Sequence, residues 1–377
     1  MDFKEQIKAE AGRLGFLISG VTVPQPPPHY NTYTQWLADG RHGGMDYLAG
    51  TDAIQRRTDP RTLLPAARSI LCLGLPYVPL YKFPAFTQPI LFGKIAAYAC
   101  FPDYHEVLPP RMDALAGFME HLTAKKILHK SYTDSAAILE RDFAMLAGLG
   151  WIGRNTCLIN PRLGSFLLLG EILLDIALEP DPPFEHDQCG TCQRCIQACP
   201  TGCILPDRTL DARRCIAYLT IENKGAIPPD LRKNVGEWVF GCDVCQMACP
   251  WNRHAIARES LPGLRLQPSC EPLDLREEVK LTPAAFNYKF KHSPILRARR
   301  RGYLRNIAVV LGNSGDPENL PALELLLGDA EALVRGHAAW AIGEIGTRAG
   351  LRILEDALQQ EKEEGVLQEI LGARRKF

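Results

Sequence analysis

Eight cysteines among positions 189 to 249 are the residues of this chain whose type and spacing point most directly to chemistry. The first run is Cys189-x2-Cys192-x2-Cys195-x3-Cys199-Pro200. In that bacterial ferredoxin spacing, three close thiolates hold three corners of a [4Fe–4S] cube, and the Cys before Pro ligates a second cube. The second run, Cys242-x2-Cys245-x3-Cys249-Pro250, lacks its first Cys, and Cys215 is the natural replacement. The predicted wiring places Cys189, Cys192, Cys195 and Cys249 on one cluster. Cys199, Cys215, Cys242 and Cys245 hold the other. Zinc prefers two Cys pairs around one tetrahedral ion, and disulfides need an oxidising compartment, so both fit this pattern less well. Paired clusters move single electrons and by themselves define a carrier. Whether the chain is an enzyme rests on the segment before them.

The elements that must position these thiolates are legible in outline. With 377 residues, 46% of them apolar, the chain is long enough for two or three domains and a sizeable core. Its formal net charge of zero excludes a globally basic nucleic-acid binder but not a local patch. The start, Met1-Asp2-Phe3-Lys4-Glu5-Gln6, has no apolar signal core, and no run of about 18 apolar residues spans a membrane. A cytoplasmic monomer is expected, in which thirteen cysteines serve metal or redox work. Cys72 and Cys157 lie in apolar runs and read as buried free thiols, while Cys100, Cys203 and Cys270 have no role by spacing. Apolar periodicity predicts helices over 3–14, 107–122 and 141–149, and strands over 16–23, 69–75 and 126–133. Strands over 155–160 and 165–175 are expected to be joined by the turn 160–164. From about 302, Ala308, Leu311, Gly312, Gly315, Leu320, Leu323 and Leu327 recur 31 positions later, as Ala339 through Leu358, which reads as a HEAT-type α-hairpin repeat. The expected fold is α+β and multidomain: a mixed α/β core over 1–180, a ferredoxin-like domain over 181–255, a connecting segment over 256–301, and HEAT-like helical repeats over 302–377.

Three further features carry chemistry. Asp134 follows an apolar strand, where desolvation would raise its pKa and suit a general acid; equally, it could be a helix N-cap. Gly148-Leu149-Gly150-Trp151-Ile152-Gly153 could let a flat cofactor approach the backbone, or form a tight turn beside a core Trp. Between 285 and 305 lie Lys289, Lys291, Arg297, Arg299, Arg300, Arg301 and Arg305 with no acid, interleaved with aromatics. Such a stretch fits RNA backbone contact or a solvated charged face. No Walker P-loop is present, and neither is Asp-x-His-x-x-Gly, which supplies a His ligand to cobalamin in many corrinoid enzymes.

Asp134-Ser135-Ala136, Ala147 through Gly153, Gly164-Ser165-Phe166 through Gly170-Glu171, Asp211 through Glu222, and Gly241-Cys242-Asp243-x-Cys245-Gln246 together resemble the epoxyqueuosine reductase family. Leu304 through Ala308 and Ala338 through Ile342 continue the resemblance into the repeats. It implies a cobalamin enzyme with two [4Fe–4S] clusters that reduces epoxyqueuosine to queuosine at the tRNA wobble position, fed by an external electron donor. It also implies a corrinoid core similar to that of reductive dehalogenases, with no protein His on cobalt. Asp134 matches the family's proton donor, and Arg57 a cobalamin-contacting Arg. Leu158, Leu169, Thr220, Cys242 and Asp243 match positions packing the corrin or its tail, and Arg141 a tRNA contact. Ala217 stands where relatives often carry Ser, and Ala97 has no assigned role. The alternatives are a corrinoid reductase of a small molecule and a two-cluster electron carrier.

Overall fold

The computed structural model describes residues 2–77, 93–253, 266–267 and 273–377. Cys270 and most of the first part of the connecting segment lie outside the described residues. In chain order the strands are β1 (Ile18–Thr22), β2 (Ser69–Pro76), β3 (Lys94–Ile95), β4 (His129–Tyr132), β5 (Trp151–Ile152), β6 (Leu158–Ile159), β7 (Leu167–Leu174) and β8 (Trp238–Phe240). Two compact units divide the chain. The first comprises Met1–Pro79, Phe101–Asp211 and Val244–Arg265; the second comprises Leu80–Cys100, Ala212–Asp243 and Leu266–Phe377. Among the described residues no helix is long and apolar enough to cross a membrane.

The first unit is built on a four-stranded sheet in the order β1-β2-β7-β4, antiparallel throughout. In β2, Ile70, Leu71, Cys72, Leu73 and Leu75 are fully buried, as expected for a strand covered on both faces. Alternation along β7 sends Gly170 to one face and Glu171 to the other. Gly170 lies under Met112 of the helix Tyr104–Thr123, where a Cβ would fall 2.7 Å from the Met112 sulfur. The opposite face packs Ile70, Cys72 and Leu173 against Phe143, Ala144 and Ala147 of the helix Glu140–Leu146 and its end. The helix expected over 107–122 begins earlier, at Tyr104, because the Asp103 side chain accepts the His105 N–H and caps it. That extra turn brings Tyr104 to the site described below.

The expected turn over 160–164 is formed, with Asn160 and Gly164 bonded to each other through their backbones, but the two strands that it joins do not pair. β6 pairs with β5, and β7 enters the central sheet. The Asn160 side chain accepts the N–H groups of Arg162 and Leu163 and donates to the Leu149 carbonyl, closing a tight turn that ends the β6 ladder. β7 is apolar enough to be buried between two partners, which outweighs pairing with its neighbour in sequence.

The second unit pairs β3 with β8 in parallel and stacks the repeat helices Arg299–Ser314, Leu320–Leu327, Ala332–Ile345, Arg348–Gln360 and Glu364–Arg374. The 31-residue repeat has a plain physical basis. Gly312 and Gly343 let helices approach: a Cβ at Gly312 would meet the Ala341 Cα at 2.7 Å, and one at Gly343 would meet the Ala373 Cβ at 2.7 Å. Gly315 and Gly346 adopt φ of +67° and +66° at the helix ends, the left-handed caps that glycine favours.

Candidate active site

The four thiols assigned to the first cluster come together on the first unit. Burial and then repulsion from neighbouring thiolates, Cys189 foremost, push the Cys195 thiol up. Cys249 is raised by burial, with Cys189 and Cys192 as further causes. Four thiols that face one another in this way suit a cluster whose iron divides their charge. No group of three or more His, Cys, Asp or Glu side chains among the described residues is placed to hold a single ion, and all twelve described cysteines are unbridged. Trp151 donates its indole N–H to the Cys189 sulfur at 3.4 Å and packs edge-on against Trp251 with centroids 5.0 Å apart. An N–H pointed at a ligating sulfur, inside an apolar wall, is the kind of contact that sets a cluster's potential. We expect Cys249→Ala to lower iron from about eight to about four per chain, read by iron analysis and electron paramagnetic resonance. Unchanged iron would remove Cys249 from the ligand set.

The second set is divided between the units. On the first, Cys199 ends the helix Arg194–Ala198, and Cys245 sits in the helix Val244–Met247 packed against it. Hydrogen bonds from the Cys203 thiol at 3.4 Å and the Thr201 hydroxyl at 3.5 Å hold the Cys199 thiol low, at about 4, which makes it a ready thiolate ligand. Cys203, without a role by spacing, thus supports a ligand. On the second unit Cys215 N-caps the helix Ile216–Ile221, and Cys242 follows β8. Thr220 is fully buried; its hydroxyl donates to the Ile216 carbonyl and accepts the Gly241 N–H at 2.9 Å. Asn306 of the first repeat helix donates to the Thr220 and Val239 carbonyls. Asp243 accepts the Ala97 N–H at 2.7 Å, which gives Ala97 the role its sequence did not suggest. The repeat helix therefore anchors the backbone that presents Cys242 and Asp243.

The glycine-rich segment resolves to a turn. A Cβ at Gly150 would fall 2.1 Å from the Ile159 carbonyl, and one at Gly148, where φ is +78°, would fall 2.5 Å from that of Pro182. The close approach is to the chain's own backbone. As letters, Gly148-x-Gly150-x-x-Gly153 matches a dinucleotide fingerprint, but it runs from a helix into β5, the reverse of the strand-to-helix context which that motif requires.

Asp134 is neither buried nor a helix cap. It is exposed in the loop after β4 with φ of +51°, and the residue capping the helix Glu140–Leu146 is Leu139. The Asp134 N–H donates to the Glu140 carboxylate, and the Tyr104 hydroxyl donates to Asp134 Oδ2 at 2.8 Å. The desolvation expected for Asp134 acts instead on two other carboxyls. Glu140 is raised to about 7, first by desolvation and then by repulsion from Asp134. Glu171 is fully buried and is pushed well up by desolvation. The visible signal for Glu171 was a lone acid in the otherwise apolar strand LLLGEILL.

Arg57 is half-buried with its guanidinium 5.4 Å from the Tyr33 ring centre, donating to the Ala53 carbonyl. A guanidinium carries five N–H donors, so donors remain for a polar cofactor tail. Leu158 is buried in the apolar cluster under the helix Glu140–Leu146, and Leu169 borders it, half-buried. Cys72 is buried as expected, whereas Cys157 is only partly so.

The basic stretch is largely neutralised. Arg305 is fully buried, so its assignment to an RNA surface is corrected: its N–H groups bond the Leu219, Asn223 and Gly225 carbonyls and Asn306. Arg300 pairs with Asp329, Arg297 forks onto Glu222 at 2.8 and 2.9 Å, and Lys289 pairs with Glu278. Lys291 and Arg299 remain exposed, and Arg301 stands 4.0 Å from Glu331. Arg141, exposed on the first unit, donates to the Thr156 carbonyl.

A first set of four thiols on the same unit as a group of carboxylic acids is the arrangement of an iron–sulfur oxidoreductase. Residues 57–135 match the family model described as epoxyqueuosine reductase QueG, DUF1730; residues 188–252 match the 4Fe-4S double cluster binding domain; residues 294–373 match HEAT repeats. An epoxyqueuosine reductase of Xanthomonas campestris pv. campestris is 40% identical over 354 residues, covering 92% of this chain and 97% of its own. That of Escherichia coli K12 is 37% identical over 360 residues, covering 95% and 93%. A crystal structure of an epoxyqueuosine reductase with a tRNA-Tyr epoxyqueuosine-modified stem loop matches with a TM-score of 0.89 at 31% identity, covering 99% of this chain and 98% of that one. A Bacillus subtilis epoxyqueuosine reductase with its catalytic loop swung out of the active site matches equally well. This chain belongs to the epoxyqueuosine reductase family.

Proposed function

We propose that this protein reduces epoxyqueuosine to queuosine at the wobble position of tRNA, with two [4Fe–4S] clusters, cobalamin and Asp134 as the proton donor. The observation that carries the reading is Asp134 itself. Its exposed carboxylate is held by Tyr104 and by a backbone bond to Glu140, on the unit that also gathers the thiols of Cys189, Cys192, Cys195 and Cys249. Removing an epoxide oxygen as water consumes two electrons and two protons. The electrons come from an external donor. When bound, the clusters pass electrons singly and cobalamin supplies a low-valent metal that can hold them. On the first unit Arg57, with N–H donors to spare, and Leu169, half-buried against the cluster that holds Leu158, would hold the cobalamin. On the second unit Thr220 and Asp243 fix the turn after β8. Asp134 gives its proton to the departing oxygen. The test is conversion of epoxyqueuosine-modified anticodon stem-loop by anaerobically reconstituted protein; iron without retained cobalt, and no conversion, would leave a two-cluster electron carrier.

The tRNA surface is narrower than the basic stretch. Lys291, Arg299, Arg301 and Arg141 are its candidates, because their cations are exposed or loosely held. We expect the triple variant Lys291→Ala, Arg299→Ala, Arg301→Ala to weaken stem-loop binding and reduce the slope of log affinity against log salt by about 2–3. Arg300→Ala should lower stability instead. Unchanged affinity of the triple variant at low and high salt would place the RNA elsewhere.

A further inference from the structure

Asp134, Glu140 and Glu171 occupy one electrostatic neighbourhood on the first unit and come from three elements: the loop after β4, the first residue of the helix Glu140–Leu146, and the middle of β7. Glu171 is fully buried, and neither of its carboxyl oxygens has a hydrogen-bond partner among the described residues. Its partners across the sheet are Cys72 in β2 and Tyr132 in β4. The other titratable groups acting on the Glu140 carboxyl are Asp134, Arg141 on its own helix, and His105 on the helix Tyr104–Thr123. Arg141 donates to the Thr156 carbonyl, and His105 is bonded to Asp103 at 2.8 Å. Among the described residues, therefore, no cation pairs with Glu140 or Glu171 directly. A buried carboxyl without a partner stays protonated, because low dielectric penalises its charge. Desolvation, then repulsion from Glu140 and Asp134, raises Glu171; Glu140 is held at about 7.

On the reading that Asp134 is the donor, we infer that Glu140 is a positioning and proton-supplying residue that reloads Asp134 within each turnover, with Glu171 kept as a neutral acid beneath it. The chemistry asks for this. Two protons leave with the epoxide oxygen as water, and a single carboxyl delivers only one at a time. After Asp134 has protonated the departing oxygen, the Glu140 carboxylic acid passes its proton to the Asp134 carboxylate. Asp134 delivers that second proton, and Glu140 takes one back from solvent between turnovers. The two electrons come from the external one-electron donor. Glu140 also fixes the loop, because its Oε1 accepts the Asp134 N–H and holds the left-handed backbone there.

The test is Glu140→Gln in the reconstituted full chain with modified stem-loop. The amide oxygen still accepts the Asp134 N–H, but the side chain carries no proton at working pH. The expected result is a fall in kcat of about 10²-fold with KM within about twofold. In the wild type, kcat declines as pH rises through about 7, because the protonated form of Glu140 is the competent one; that limb is absent from the variant. A variant with wild-type kcat and an unchanged limb overturns the inference. If instead the wild type converts no stem-loop, the functional reading fails; if Asp134→Asn stays active, Asp134 is not the donor and the relay is overturned with it. A second readout needs no turnover. Between about pH 4.5 and its folded pKa, Glu171 ionises in the unfolded chain but not in the folded one. Wild-type stability should therefore fall relative to Glu171→Gln by up to tenfold in the folding constant per pH unit. A gap that stays constant between pH 5 and 8 means that Glu171 is charged in the fold, and overturns the neutral floor.

Discussion

Asp134→Asn is expected to reduce conversion of epoxyqueuosine-modified tRNA by about 10²–10⁴-fold while iron content and stem-loop affinity stay unchanged. Asn is the informative substitution because the backbone there has φ of +51°, which Asn adopts at lower cost than Ala. Its side-chain oxygen can still accept the Tyr104 hydroxyl, so the loop keeps its anchors and loses only the acid. Asp134→Ala would mix that loss with strain. Tyr104→Phe should be milder, because it removes one donor to Asp134 and leaves the carboxyl in place. Full activity in Asp134→Asn would move the proton donor to another group, with Glu140 the first candidate.

Arg305→Ala is expected to cost about 3 kcal/mol or more and to appear as low soluble yield and a lowered Tm, not as a selective loss of tRNA binding. The guanidinium is wholly enclosed and bonds the Leu219, Asn223 and Gly225 carbonyls at 2.6–2.8 Å, as well as Asn306. Burial lowers it to about 9, which leaves it charged at neutral pH. Removing it strands the buried Leu219 carbonyl, takes the donor from two part-buried ones, and opens a cavity between the first repeat helix and the helix Ile216–Ile221. Arg305→Lys should rescue little, since one ammonium cannot reproduce the planar fork. Because Asn306 and Arg305 together tie down the backbone before Cys242 and after Cys215, iron content should fall with stability. Normal Tm with lost RNA affinity would return Arg305 to the surface role.

The reading from sequence and the structure part at particular residues. The cysteine runs were legible because a cubane fixes its ligand spacing along the chain, and residues 188–252 match a double-cluster domain. The repeats were legible because Gly312 and Gly343, and Gly315 and Gly346, answer the same steric demand 31 residues apart. The pairing of β7 was not, since the choice between β6 and the central sheet depends on what covers both faces of the strand.

By itself, then, the sequence determined the electron-carrying chemistry and the helical repeat, both written in local spacing, while Asp134 stood out as an acid only through the family resemblance. Only the tertiary structure decided which charges are free and which are buried. It took Arg305 from the surface into the core, paired Arg297, Arg300 and Lys289 with acids distant in sequence, and moved the desolvated carboxyls from Asp134 to Glu140 and Glu171. The physical reason is that a charge's behaviour depends on the dielectric and the partners around it, and those are assembled from segments that lie tens of residues apart.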